Sequence, residues 1–255
     1  MVRLAHMSWA GRRQGLYIGT SAIIFLALVS FVGIKIFVHP ASCFNNVQDG
    51  TETGIDCGGS CSRMCMNSVH PATVLWTRFL PLAPSTYTVA AYLENQNVGS
   101  YVKEARYTFK FFDDKNVLIA ERQGTTVIAP TRITPVVETN INTGSRVPVK
   151  AFFEFLDEPL WDKAIGTPQI RIDGQDLDPS GQRLSVVVHN DGVKDVSDIP
   201  VGAVLFDADG RAQAASMSVV PSIARNSSVP VVFTWPTAPV QPIVRAEVTA
   251  LPTPQ

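Results

Sequence analysis

Four cysteines carry the one spacing in this chain that looks like a built site. Cys43, Cys57, Cys61 and Cys65 follow a C-x13-C-x3-C-x3-C pattern, and the 255 residues contain no other cysteine. Thiols this close can pair into two disulfides, or act as thiolates that close a tetrahedral zinc site. The C-x3-C-x3-C run lacks the paired C-x2-C form usual for zinc, which favours disulfides. Four cysteines allow three pairings, and the spacing does not choose among them. A second chemistry overlaps the first. Asn45, Asn46, Asp49, Glu52 and Asp56 put hard oxygen ligands in a tight glycine-rich loop, as a calcium site needs. The competing reading is that the same short side chains form turns by bonding nearby backbone.

Catalytic chemistry is hard to assemble from the rest. The four histidines are His6, His39, His70 and His189, and none sits in a His-x-His, His-Glu-x-x-His, Gly-x-Ser-x-Gly or phosphate-loop context. Asp113/Asp114 and Asp207/Asp209 resemble acid–base pairs, but they lie in stretches that need turn residues anyway. Trp76, Trp161 and Trp235 are candidate binding residues for a glycan platform, with core packing as the alternative. A net charge of −1 without a long basic run excludes an extended nucleic-acid surface. The expectation is therefore not an enzyme, with no cofactor beyond the calcium candidates.

What positions the cysteine cluster is an apolar helix before it. Residues 16–34 contain no charge, and about 20 apolar residues span a bilayer core. The span extends through residues 16–38 if Lys35 snorkels, and His39 and Pro40 end it. Arg3, Arg12 and Arg13 precede the span, which predicts residues 1–15 in the cytoplasm and the remainder outside. A cleaved signal has a shorter apolar region. A lipoprotein signal ending at Cys43 would want a branched aliphatic residue where Pro40 stands.

The cysteine-rich stretch, residues 41–66, carries the string Glu52-Thr53-Gly54-Ile55-Asp56-Cys57-Gly58-Gly59. It resembles a short module of bacterial surface proteins, with Cys61 to Cys65 one residue longer than that module's usual spacing. A segment this short cannot bury a core and needs covalent staples, which an extracytoplasmic compartment favours.

Beyond residue 70 the text turns to short alternating apolar runs separated by turn residues, with no helical periodicity. Thr86–Glu94, Ala105–Phe112 and Val117–Glu121 read as strands. Arg183–Asn190 and Val201–Phe206 repeat the plan, with Asn95 and Asn190, Phe112 and Phe206, and Asp113–Asn116 and Asp207–Gly210 in matching places. This predicts two similar β-sandwiches, residues 70–157 and 166–251, joined by a linker over 158–178 that ends in the first strand of the second. The pattern resembles the immunoglobulin-like FxLYD and CARDB-type domains of prokaryotic surface proteins. The fold class expected is mainly β: one N-terminal transmembrane helix, a small cysteine-rich module and two immunoglobulin-like sandwiches. The function expected is a single-pass membrane protein anchored in lipid, whose sandwiches meet an extracytoplasmic protein partner or support the envelope. A glycan-binding module and a passive spacer are the alternatives.

Overall fold

A computed structural model describes residues 9–37, 42–130 and 133–254. Arg3, His6, Val38, His39, Pro40 and Ala41, which entered the topology argument, lie outside the described residues. Helix α1 runs Trp9–Phe37, seven residues earlier than the charge-free run begins. At 1.5 Å per residue its 29 residues measure about 43 Å. The apolar stretch Arg13–Lys35 has no buried residue, so it is apolar all round and packs against nothing among the described residues. The extra N-terminal turns place Trp9 four residues before Arg13, whose guanidinium lies 4.3 Å from the indole centre. That is one helical turn's neighbour and a cation–π contact.

The chain beyond residue 70 is β. The first half contains β1 (Thr73–Ala83), β2 (Thr86–Glu94), β3 (Ser100–Phe112), β4 (Leu118–Ile128), β5 (Ile133–Asn142), β6 (Lys150–Phe155) and β7 (Trp161–Lys163). The second contains β8 (Ile170–Leu177), β9 (Arg183–Asn190), β10 (Val196–Phe206), β11 (Ala212–Ile223), β12 (Ser227–Thr234) and β13 (Arg245–Ala250). Sheet β1-β2-β5 faces sheet β4-β3-β6 in one sandwich, and sheet β8-β9-β12 faces sheet β11-β10-β13 in the other. The two halves thus share one strand plan. The expected linker over 158–178 is corrected in part: Trp161–Lys163 continues the line of β6 and pairs with Ser100–Val102.

Prolines mark where sheets end. Pro81, Pro135, Pro221 and Pro230 all lie in strands at sheet edges, and Pro200 lies just before the stretch of β10 that pairs with β13. Proline has no N–H for a second neighbour, so these edges resist further strand pairing.

A third core joins the sandwiches. Leu80, Ala90, Tyr92 and Val137 from the outer face of β1-β2-β5 bury themselves against Val204, Phe206, Ala212 and Ala215 from the outer face of β11-β10-β13. Trp76 stacks on Tyr92 at 4.5 Å and meets Phe206 edge-on at 6.2 Å. The Tyr92 hydroxyl donates to Glu247 at 2.9 Å, and Arg245 covers Phe206. Burial, then the Glu247 carboxylate, hold the Tyr92 proton on well above the usual phenol range. This explains why β2 is buried from Thr88 through Leu93 without alternation: both of its faces are covered.

Register makes the two copies comparable position by position. Where the second presents Val204, Ala215 and Met217 to the interface, the first presents Lys110, Glu121 and Gln123 on its matching outer face. There Lys110 pairs with Glu154 and Thr108 with Glu121. The outer face of β8-β9-β12 is likewise polar, with Arg171 bonded to Asp191 and to Asp173. Two outer faces that carry charged pairs, with Phe152 and Val232 half-exposed among them, thus flank one apolar seam.

Gly202 is the tightest point of that seam. A Cβ built there would lie 2.8 Å from Pro135 Cγ and 3.3 Å from Met217 Cε. Gly202→Val is expected to destabilise the chain by about 1–3 kcal/mol through overpacking. It should also raise the rate of proteolysis in residues 164–169 between the sandwiches, read against the unsubstituted chain by timed digestion.

Candidate functional site

The cysteine-rich stretch folds as an interleaved knot. Cys43 pairs with Cys61 and Cys57 with Cys65, leaving no free cysteine. Each bridge limits the unfolded chain and is worth about 2–4 kcal/mol. The bridges explain the glycine string. A Cβ on Gly54 would fall 2.8 and 2.9 Å from the sulfurs of Cys57 and Cys65, and one on Gly59 (φ +53°) would fall 1.8 Å from the Thr51 carbonyl oxygen. With Cys43 bonded to Cys61, its sulfur is not available for a lipid thioether.

The calcium candidates turn inward onto backbone. Asp56 accepts from the amides of Asn45 and Asn46, both at 2.9 Å. Asp49 accepts from Ser42 N–H at 3.2 Å and from the Asn45 side-chain amide at 2.8 Å. Asn45 Oδ1 accepts from Val47 N–H at 2.9 Å. Glu52, nine-tenths buried, accepts from the Asp49 and Asp56 amides at 3.3 Å. Among the described residues, the group whose ligand atoms converge is Cys43, Glu52 and Cys61, and two of those atoms are disulfide sulfurs with no thiolate charge to offer. In this arrangement the oxygens of Asn45, Asp49, Glu52 and Asp56 serve as acceptors for the knot's own amides, as in a hydrogen-bonded turn scaffold.

The knot is welded to the first sandwich. Met64 N–H donates to the Trp161 carbonyl and Lys163 N–H to the Ser62 carbonyl, both at 2.9 Å. Arg63 pairs with Asp162 at 3.0 Å, and Met64 packs against the first core. Trp161 is 1% exposed beneath it. The three tryptophans do not form a platform: Trp161 is in the first core, Trp235 is buried with its indole N–H on the Ala215 carbonyl at 3.1 Å, and Trp76 sits in the seam. Sequence reasoning missed the strand that carries Trp161, since three residues between prolines give no periodicity to read.

Two pairs of polar residues recur at equivalent points. Asn95 donates to the carbonyls of Ser100 and Ala129 at 2.8 and 2.9 Å and accepts from Asn97 N–H. Asn190 donates to the carbonyls of Lys194, Ile223 and Ala224 and accepts from Gly192 N–H. Asp113 accepts from the amides of Lys115 and Val117, and Asp207 from those of Asp209 and Arg211. These backbone bonds, that from Val117 first for Asp113 and that from Arg211 first for Asp207, hold both carboxyls below the usual carboxylate range. A folded state whose carboxyl pKa values are lowered binds protons less readily than the unfolded chain. The stabilisation is present above the unfolded value of about 3.9 and is lost as the pH falls through the folded value. Urea midpoints measured from neutral pH down to about pH 3 should fall more steeply for the native chain than for Asp113→Asn/Asp207→Asn.

A groove of about 620 Å³ lies between β1, the start of β11 and residues 235–240. Arg78 is the one charged residue in its lining, so it holds no acid–base pair. His189 lies 3.6 Å from Asp173 on an open sheet face. Comparison of the chain with models of known protein families returns no match, and comparison with curated proteins returns none either.

Proposed function

We propose that this chain is a non-enzymatic, single-pass membrane protein whose sandwiches stand outside the cytoplasm and dock an extracytoplasmic protein partner or brace the cell envelope. The observation that carries this reading is a doubly cross-linked knot that follows α1 closely in sequence and is bonded to a strand of the first sandwich. Disulfides belong to an oxidising compartment, and Arg12 and Arg13 at the start of α1 favour a cytoplasmic N-terminus. Each sandwich is assigned as immunoglobulin-like, on the shared plan of strands 1-2-5 over 4-3-6. The buried seam favours a body that presents a fixed surface over a flexible tether, because rigid placement lowers the ordering cost of binding.

Tags at the two ends test the topology: external protease should remove a C-terminal tag from intact cells and spare an N-terminal one, and the reverse pattern would overturn the reading. Crosslinking in native membranes tests the partner. Recovery of one specific envelope protein supports docking, whereas recovery of none favours a passive spacer.

A further inference from the structure

The loops nearest the anchor carry aliphatic side chains where turn chemistry would call for polar ones. Val98 is 100% exposed, Ile165 71% and Val193 80%. They belong to three different connections, and backbone bonds tie those connections to the stretch 164–169, at the end of each sandwich that this stretch joins. Gly99 and Ala164, the neighbours of Val98 and Ile165, are joined by an N–H to carbonyl bond of 2.7 Å. The loop holding Val193 is tied to the chain just after Ile165 by the bond from Asp191 N–H to the Gln169 carbonyl, at 2.9 Å. The same end bears the knot, through the Ser62–Lys163 bond.

The anchor fixes what lies opposite that end. Five peptide steps separate Phe37, the last described residue of α1, from Ser42 at the edge of the knot. A chain that short reaches at most about 18 Å. The knot does not swivel freely on the sandwich, since two backbone bonds and the Arg63–Asp162 pair hold it. If α1 crosses the bilayer, as proposed above, the loop end is held over the outer leaflet. We infer that Val98, Ile165 and Val193 insert into that leaflet and seat the sandwiches on the lipid surface. The flanking charges suit this depth. Asp191 is paired with Arg171, and Asp195 accepts from Arg225 N–H. Lys194 stands next to Val193, where its amine can reach the headgroup phosphates, while the Lys163 amine is held by the Gly59 carbonyl of the knot.

Val240 provides an internal control. It is 85% exposed, but its loop follows Thr234, and β12 runs away from Asn190 from Ser227 onward. It therefore lies at the opposite end of the second sandwich. The full-length chain would be reconstituted in phosphatidylcholine vesicles with one environment-sensitive fluorophore on a cysteine at Val98, Ile165, Val193 or Val240. With a nitroxide on the upper acyl chain, the first three labels should shift to the blue and lose most of their emission, and the Val240 label should do neither. Val98→Asp/Ile165→Asp should abolish the shift at 193 without changing the melting curve. Four labels that all behave like the one at 240 would overturn the inference. So would labels shielded from aqueous iodide but untouched by the lipid nitroxide, which would mean that a second copy covers the loops. Flotation after a carbonate wash separates the two readings: protein that stays with the vesicles while its loop labels remain unquenched refutes loop insertion alone, and protein that leaves them refutes the membrane anchor and the insertion with it.

Discussion

Trp161→Ala should lower the unfolding free energy by about 3–5 kcal/mol, the range for removing a large buried aromatic side chain. The residue is 1% exposed and is among the largest fully buried side chains of the chain. It has two duties. Its ring fills the first core beneath Met64, and its backbone carbonyl takes the Met64 amide while its strand pairs with Val102. Loss of the ring opens a cavity where the knot meets the sandwich, so the damage should reach beyond global stability. Hydrogen exchange should quicken at Met64 and Lys163, whose amides make the weld, with the disulfides still closed. Trp161→Phe should restore part of the stability and most of the protection. If Trp161→Ala unfolds at an unchanged urea midpoint, the weld is not a source of stability.

Asn190→Ala should cost about 2–5 kcal/mol, since each buried carbonyl left without a donor is worth about 1–3. Asn190 has no exposed surface, and its amide supplies the Lys194 and Ile223 carbonyls, while the Ala224 carbonyl it also reaches keeps the Ser227 N–H and hydroxyl as donors. Asn190→Asp tests the mechanism, because a carboxylate has the same shape and cannot donate. It should be at least as damaging at neutral pH. Asn95→Ala should be somewhat milder, since Asn95 is 7% exposed and water can reach its two carbonyls more readily. Equal urea midpoints for the native chain and Asn190→Ala would show that water takes over the donor role.

The parts of this fold that were readable in advance are those where chemistry is local. Asn95, Asn190, Asp113 and Asp207 stood out because a short polar side chain after an apolar run has few other uses than bonding its own backbone. The two-copy plan was legible from the recurrence of those residues. β1 was missed because Pro81 interrupts its pattern, and a proline is tolerated there only because the strand lies at an edge. The seam was missed for a different reason. An unbroken apolar run such as Val201–Phe206 implies cover on both faces, but nothing local says that the cover is the other sandwich. The same limit hid the role of Trp76, whose partners Tyr92 and Phe206 are 16 and 130 residues away in sequence. In the knot, oxygen ligands and turn formers are the same residue types, so the sequence pattern alone does not separate the calcium reading from the turn reading.

The polar outer faces have a bearing on the history of the chain. The seam joins unlike surfaces, one from each copy, so a duplicated ancestor could have gone on stacking copy upon copy. Lys110 and Glu121 stand where Val204 and Ala215 make the seam, and charges there would lose their water if another copy settled on them. Once those positions diverged, the order of the two copies became irreversible. A gene rearranged to put the second sandwich first would bury Lys110 in the joint and leave Val204 bare to solvent.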